Sequence, residues 1–216
     1  RPHLQWCMEI IDDVLSDLNR CAMVAEISSD QDPDTVVDAL NSGRISGLGP
    51  VPTLDVEAIQ NSSNIVAQMG VEPVIEALER GAQIVVTGRC YDPAVFAAVP
   101  IKAGFSEALA LHMGKILECA AIAAAPGSGS DCMIGVLDET GFVLEALSLE
   151  RKCTVTSIAA HTLYEKADPQ FLPGPGGVLD LTECKFEQIS ERRVRVRGTR
   201  LQKSAHYAIK LEGGRP

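Results

Sequence analysis

The chain has 216 residues, enough for one domain of ordinary size or two small ones, and 46% of them are hydrophobic, which indicates a real core. Its formal net charge of −10 argues against nucleic acid and anionic membrane surfaces as partners, because binding to both depends on Lys and Arg. Seven scattered cysteines without a C-x-x-C pair, and the absence of an apolar run of transmembrane length, predict a soluble cytoplasmic protein.

Predicted helices and strands alternate through the first 125 residues. Apolar residues at positions 4, 8, 11, 14, 15 and 18 have helical spacing. Asp32 followed by Pro33 predicts the start of a second helix, and Gly43 and Gly81 predict helix ends. The predicted helices are 4–18, 33–43, 74–80, 92–103 and 106–125, and the predicted strands are 21–27, 62–69 and 83–87.

The pattern changes after the Gly/Ser-rich segment that follows residue 125. Short strands with alternating apolar and polar residues become frequent, as in a half-buried antiparallel sheet. The predicted strands are 132–137, 142–147, 184–189, 193–197 and 205–211, with a helix at 154–166 and a Pro/Gly loop at 171–177.

These elements predict an α/β fold with two differing halves. In the N-terminal half, a mainly parallel sheet is expected, flanked by helices. In the C-terminal half, an α+β arrangement with antiparallel strands is expected. The predicted division is 1–125, an α/β layer with a candidate anion site, and 126–216, an α+β portion packed with the first half as one unit.

The first candidate site is the turn that ends the strand 83–87. Ligands of open α/β sheets bind beyond the carboxyl ends of the strands, where Thr87, Gly88 and Arg89 are expected. An arginine there is suited to a carboxylate or phosphate. Asp92, followed by Pro93, is a candidate general acid or base. The alternatives are a helix N-cap for Asp92 and a structural ion pair between Arg89 and Asp92.

A second candidate is the glycine-rich turn at residues 127–131. Consecutive backbone N–H groups in such a turn can form an anion-binding nest. Gly127 and Gly129 would bring the backbone close to the ligand, and Ser128, Ser130 and Asp131 would add side-chain contacts. No Gly-Lys-Ser/Thr follows, so the segment is not a Walker A loop. The alternative is a flexible linker.

A third candidate is Glu118, which shares one helix face with His112 and Lys115 at i, i+3 spacing. It is followed by a run of apolar residues, and a carboxyl group in apolar surroundings has a raised pKa that suits proton transfer. Glu118 is therefore the favoured proton carrier. The alternative is a solvated stripe of polar residues.

Other features predict structure rather than chemistry. His161 lies in an apolar stretch without a nucleophile elbow, so a structural histidine is favoured. Residues 172–177 predict either the lip of a site or a rigid turn. The four histidines are far apart in sequence and have no Cys or carboxylate at ligand spacing, so no metal site is predicted.

Several of these segments together resemble the acyclic terpene utilisation AtuA-like family. The resemblance covers most of residues 60–200 in order, and the block ending in Thr87-Gly88-Arg89 is its most specific part. The matching segments are 72–89, 92–94, 116–120, 162–169 and 193–198. The resemblance implies that the chain is the central part of a longer family domain.

The family is associated with the catabolism of branched acyl-CoA and related carboxylic acids. The resemblance therefore implies an enzyme, or its core domain, that acts on a small carboxylate or branched acyl-CoA by a lyase or hydratase type of reaction. A CoA thioester is expected as substrate and no cofactor is predicted. The expected partners are a small anionic metabolite and either further copies of the chain or a small ferredoxin-like domain or subunit. The alternative is a non-catalytic partner subunit of a metabolic enzyme complex.

Overall fold

The computed structural model describes residues 2–162, 164 and 168–214, and only the backbone of residues 2 and 3. These residues form two compact units whose segments alternate along the chain. Unit one contains the described residues of Arg1–Met69, Ala77–Cys90 and Ile209–Pro216. Unit two contains the described residues of Gly70–Glu76 and Tyr91–Ala208. The division predicted between residues 125 and 126 stays a prediction.

The described residues contain seven α-helices, one 3₁₀-helix and eleven strands. The α-helices are α1 (Pro2–Asp17), α2 (Pro33–Asn41), α3 (Val56–Gln60), α4 (Glu72–Glu79), α5 (Pro93–Lys102), α6 (Glu107–Leu117) and α7 (Val155–His161), and the 3₁₀-helix is Ala120–Ala123. The strands are β1 (Val24–Ile27), β2 (Asn64–Gln68), β3 (Ile84–Thr87), β4 (Met133–Leu137), β5 (Phe142–Ala146), β6 (Phe171–Gly174), β7 (Gly177–Asp180), β8 (Lys185–Gln188), β9 (Arg193–Arg197), β10 (Arg200–Lys203) and β11 (Lys210–Gly214).

Unit one contains two small two-stranded sheets. β1 and β3 pair in parallel, and β2 and β11 pair antiparallel. A small core of Val36, Ile59 and Ile65 lies between the helices α2 and α3 and the strand β2. The predicted start of α2 is confirmed, because the Asp32 carboxylate accepts a hydrogen bond from the backbone N–H of Thr35 at 3.1 Å.

Unit two contains two antiparallel sheets and the helix pair α5–α6. One sheet has the order β4-β5-β9-β8 and the other β10-β7-β6. Alternate residues of β5 and β9, such as Phe142 and Val196, are fully buried against α6 and α7. The other side of α6 packs with α5 and with Leu172 and Leu179 of the smaller sheet. Helix α6 is therefore covered on most sides, which explains why nine of its eleven residues are buried.

The fold is a mixed α/β arrangement whose small sheets are mostly antiparallel. The predicted antiparallel strands of the C-terminal half are confirmed. The prediction of a mainly parallel N-terminal sheet has weak support, because β1 and β3 are the sole parallel strand pair among the described residues. β2 pairs instead with β11 from the other end of the chain, and such a long-range pairing leaves no local signal in the sequence.

The predicted helix at 106–125 is wrong beyond Leu117. Glu118 is its C-cap, and Ala120 has a φ of +45°, which no α-helix accommodates. A short 3₁₀-helix, Ala120–Ala123, follows. The apolar run misled the prediction because its composition does not distinguish a continued helix from a tight turn in the core.

Two further predictions near the C-terminus are wrong. The Pro/Gly segment 171–177 is a tight hairpin of β6 and β7, with Pro175-Gly176 as its two-residue turn. Proline is tolerated there because β6 is an edge strand. The strand predicted at 205–211 is replaced by β10 and β11, which lie on either side of residues 204–209.

The other boundaries differ less. Of the helix predicted at 154–166, the structure has α7, Val155–His161, and residues 163 and 165–167 of the prediction lie outside the described residues. Helix α3 was not predicted from the sequence. In the described part of the chain, no helix is long and apolar enough to cross a membrane.

The contact between α5 and α6 depends on Gly114. A side-chain carbon at this position would lie 2.6 Å from the carbonyl oxygen of Pro93, the first residue of α5. In an ordinary helix Gly→Ala stabilises, but here we expect Gly114→Ala to destabilise by about 1–3 kcal/mol, because the two helices must separate. Urea unfolding of the variant measures this change.

The matched control for this prediction is Gly129→Ala. Gly129 is exposed, and nothing lies within 4 Å of the position that its new carbon would occupy. We expect its free energy of unfolding to change by less than about 0.5 kcal/mol. Equal effects of the two substitutions would contradict a packing role for Gly114.

Candidate functional site

The turn after β3 is held against the end of β1 in unit one. Thr87 pairs with Ile27 in register, and the N–H of Gly88 donates to the Ile27 carbonyl at 2.8 Å. A side-chain carbon on Gly88 would lie 2.4 Å from Ser29 Oγ, so only glycine fits this close approach. The N–H of Arg89 donates to the same oxygen at 2.7 Å. The strand ends therefore meet as the parallel pairing predicts.

The Arg89 side chain has a carboxylate partner from β11. Its Nε lies 3.2 Å from Glu212 Oε2, and about a third of each side chain is exposed. The hydrogen bond from Lys210 and the charge of Arg89 hold the pKa of Glu212 below its usual range. This ion pair gives Arg89 a structural partner, Glu212, that the sequence did not predict. Anion binding by Thr87, Gly88 and Arg89 stays a prediction.

The centre of unit two contains a buried ion pair on α6. Lys115 Nζ donates to Glu118 Oε1, and the two side chains are 5% and 8% exposed. The third residue on this helix face, His112, is fully buried. The alternative of a solvated stripe is therefore wrong. The helix presents this face to the packed sheets and α7, so its polar groups depend on partners inside the protein.

Tyr91 connects the two proton carriers that the sequence suggested. Burial raises the pKa of the Tyr91 phenol, and the negative charges of Glu118 and Asp92 raise it further. Both carboxylates therefore act electrostatically on one phenol. Asp92 occupies the N-cap position of α5, as the sequence suggested, but its side chain makes no capping hydrogen bond.

His161 and Tyr164 both lie next to Lys115. The Nε2–H of His161 lies 3.2 Å from the Lys115 carbonyl oxygen, to which it donates. The His161 ring stacks on Tyr164, with centroids 5.4 Å apart, and Lys115 Nζ lies 5.8 Å from the Tyr164 centroid. A cation this close to an aromatic face is stabilised. We call Tyr91, Asp92, Lys115, Glu118 and His161 the acid–base cluster.

His112 belongs to a separate polar contact on the same helix. Its Nδ1 lies 2.7 Å from Thr199 Oγ1, and Cys184 Sγ lies 3.3 Å from the same oxygen. Burial, with a smaller effect of His161, lowers the pKa of His112 to about 3. His112 is therefore neutral at ordinary pH.

The turn 127–131 in unit two is built around an arginine. Arg151 Nε pairs with Asp131 Oδ2, and its Nη1 donates to the carbonyl oxygens of Pro126 and Gly127 at 2.8 and 3.3 Å. The N–H of Ser128 donates to Ala121 O at 2.9 Å.

The remaining residues of the turn bond within it. The N–H of Ser130 donates to Ser128 Oγ at 3.2 Å, and Gly129 is open to solvent. The segment is thus an internally bonded turn rather than a simple linker. Anion binding by Gly127, Ser128, Gly129, Ser130 and Asp131 stays a prediction.

Sequence reasoning missed two of the residues that organise these sites. Tyr91 directly precedes the candidate residue Asp92, so its position was a usable signal. Arg151 lies 20 residues after Asp131 and gave no local signal. Gly174 of the β6–β7 hairpin lies against the Tyr91 ring, so this part of the hairpin borders the acid–base cluster. In the ranges that the structure describes, no three His, Cys, Asp or Glu residues are arranged to hold a metal ion.

Comparison with known proteins identifies the family. A family model described as acyclic terpene utilisation family protein AtuA matches residues 4–212, almost the whole chain. The chain belongs to the AtuA family. The resemblance seen in the sequence is thereby confirmed, and the family ties the chain to the utilisation of acyclic terpenes. Neither a curated protein nor a solved structure matches it.

In this AtuA-family chain, the contribution of the buried Lys115–Glu118 pair to the stability of the core can be tested by substitution. Lys115→Met leaves the Glu118 carboxylate buried without its ammonium partner, so we expect a loss of about 3–5 kcal/mol in the free energy of unfolding. The double variant Lys115→Met/Glu118→Met replaces the pair by apolar side chains of similar volume, and we expect it to recover most of this loss. Chemical unfolding of the three proteins measures both changes.

An exposed ion pair in the same unit provides the control. Arg197 and Glu187 have side chains that are 49% and 52% exposed, so Arg197→Met should cost no more than about 1 kcal/mol. A Lys115→Met effect as small as that of the control would show that the pair is not required by the fold.

The neutral His112 predicts acid sensitivity. In the unfolded chain the histidine binds a proton below about pH 6.5, whereas in the folded protein it stays neutral down to about pH 3. The contribution of His112 to the free energy of unfolding is therefore highest above pH 6.5. It falls as the pH drops toward 3, by at most about 1.4 kcal/mol per pH unit. We expect His112→Asn to flatten the pH dependence of the free energy of unfolding in this window.

The exposed His206 in the same unit provides the comparison. His206→Asn should leave the wild-type slope between pH 6.5 and 4.5 unchanged. Parallel slopes for wild type and His112→Asn would disprove the role of His112.

Proposed function

We propose that the chain is a catabolic enzyme, or its core domain, that acts on a small carboxylate or branched acyl-CoA by proton transfer, in a lyase or hydratase type of reaction. The observation that carries the proposal is the buried Lys115–Glu118 pair beside Tyr91. Membership of a family for acyclic terpene utilisation supports it, because breakdown of branched carbon chains needs chemistry next to a carboxyl or thioester group.

The cluster contains the groups that such a reaction requires. Glu118 serves as the base that removes a proton from the carbon next to the thioester or carboxylate. The electron pair moves onto the carbonyl oxygen, where the Lys115 ammonium stabilises the negative charge. Tyr91 donates a proton to the leaving hydroxyl group, which departs as water. Burial, together with the charges of Glu118 and Asp92, raises the pKa of the Tyr91 phenol, which is therefore protonated before that step.

The proposal includes two separate anion-binding sites. Thr87, Gly88 and Arg89 in unit one are proposed to bind a carboxylate or phosphate, with Arg89 exchanging its contact to Glu212 for the ligand. The turn 127–131 in unit two is proposed to bind another anionic group. The substrate is a small anionic metabolite or CoA thioester, and the reaction uses no cofactor. In the cell the proposed compartment is the cytoplasm, which accords with seven cysteines that form no disulfide.

The proposal is tested by hydrogen exchange into the substrate. Wild-type protein in D₂O is incubated with 3-methylbutanoyl-CoA, or with the free acid, and loss of the proton next to the carbonyl is followed by NMR. We expect exchange with wild type and a 10²- to 10⁴-fold slower rate with Glu118→Gln, because the amide does not accept the proton. Tyr91→Phe should retain exchange but lose elimination of water from the 3-hydroxy thioester.

The control is Glu187→Gln, which alters an exposed carboxylate in the same unit. Circular dichroism establishes that each variant is folded. The proposal fails if folded wild type exchanges neither compound, or if Glu118→Gln exchanges as fast as wild type.

The second candidate is a non-catalytic subunit that binds or positions a partner enzyme, either further copies of the chain or a small ferredoxin-like subunit. Helix α5 favours it, because Val95, Phe96 and Val99 are 48%, 39% and 60% exposed on one element. Apolar surface of this kind marks protein contacts. Absence of exchange together with a stable oligomer that Val99→Ser disrupts would favour this candidate.

A further inference from the structure

Helix α1 in unit one carries a row of exposed apolar side chains. Trp6, Ile10 and Val14 follow one another at i, i+4 spacing, and Leu18 continues the row just beyond the helix end. Their exposed fractions are 58%, 42%, 49% and 64%. Residues four apart are neighbours on a helix surface, so these side chains form one continuous strip, which we call the α1 ridge.

The α1 ridge is not the side of the helix that faces the fold. Leu4, Met8, Ile11 and Leu15 have their own helical spacing and are half-buried, and α1 lies next to β3. The packing requirement of an amphipathic helix is met by that face. The ridge is a second apolar face, and large side chains gain nothing from exposure to water.

A row of carboxylates runs along the ridge. Glu9, Asp13 and Asp17 each follow a ridge residue by three positions and are exposed, so they lie directly beside it. We call them the acidic row. No lysine or arginine occurs between residues 2 and 17. The strip is therefore apolar along its length and negatively charged along one border.

This charge pattern selects the kind of partner. Two copies of α1 packed through their ridges would bring two acidic rows into one small interface, and like charges facing each other oppose binding. A membrane with anionic lipids is disfavoured for the same reason. A helix with an apolar stripe bordered by Lys or Arg complements both the ridge and the acidic row.

We propose that the α1 ridge docks an amphipathic helix of a partner protein, with the partner's apolar stripe on Trp6, Ile10 and Val14 and its Lys or Arg side chains on the acidic row. A helix of 16 residues is about 24 Å long. A single helix pair of this length buries less than a standard interface of about 1,600 Å², so the contact is transient and sensitive to salt.

The only tryptophan of the chain lies on the ridge and provides the measurement. The probe is a synthetic helical peptide of 18 residues made of Leu, Lys and Ala, with Leu at i, i+4 positions and Lys beside them. We expect the emission of Trp6 to move to shorter wavelength with a saturable dependence on peptide concentration, and added salt to weaken binding. The matching peptide with Glu in place of Lys should not bind.

Two matched charge substitutions locate the contact. Asp13→Lys alters the acidic row, whereas Asp12→Lys makes the same change of charge on the opposite side of the helix from Ile10 and Val14. We expect Asp13→Lys to weaken binding at least tenfold and Asp12→Lys to alter it less than twofold. Ile10→Ser, which alters the ridge itself, should also weaken binding at least tenfold. Helical content is compared by circular dichroism.

Three results would overturn the proposal. Equal weakening by Asp12→Lys and Asp13→Lys would show general attraction between a basic peptide and an acidic protein. Unchanged Trp6 emission with the Lys peptide would show that the ridge does not take such a helix. A dimer in sedimentation velocity that Ile10→Ser abolishes and Asp13→Lys does not would assign the ridge to a second copy of the chain.

Discussion

The core of the second unit contains one costly interaction, the buried ion pair between Lys115 and Glu118. Removing two opposite charges from water costs several kcal/mol per ion, and their attraction offsets this only when the surroundings supply further contacts. Here the Tyr164 face lies above the ammonium and α7 places His161 on the lysine backbone. The contacts around the pair therefore come from the end of α7 and from Tyr164 just after it, and they are made when this segment packs against α6.

Helix α6 carries two buried basic residues, His112 and Lys115, that have different kinds of partner. His112 is surrounded by the aromatic rings of Phe142 and Phe186 and has a hydroxyl partner in Thr199, so burial keeps it neutral. One turn later, Lys115 has a carboxylate within hydrogen-bonding distance. Burial disfavours charge at both positions, and the nearby carboxylate decides the difference.

Local patterns predicted most of the elements, the apolar setting of Glu118 and the helix face that it shares with Lys115, but not the partners of Arg89 and Asp131. The start of α2 follows from Asp32 and Pro33, and the hairpin of β4 and β5 follows from alternation around its turn. In contrast, Glu212 reaches Arg89 across 123 residues and Arg151 reaches Asp131 across 20. Such pairings depend on which segments the fold brings together. The spacing of residues within a single segment does not predict them.

Asp92 acts on its surroundings through its charge rather than through a capping hydrogen bond. Its position before Pro93 is the usual one for a helix cap, yet the residue itself has helical backbone angles, φ −53° and ψ −39°, and its side chain does not bond to the first turn of α5. The Asp92 carboxylate still acts through its charge, which helps to raise the pKa of the Tyr91 phenol. Because Glu118 acts on the same phenol from α6, the two carboxylates that sequence reasoning treated as alternatives are parts of one electrostatic environment. Burial of the phenol and the charges of these two carboxylates together keep Tyr91 protonated.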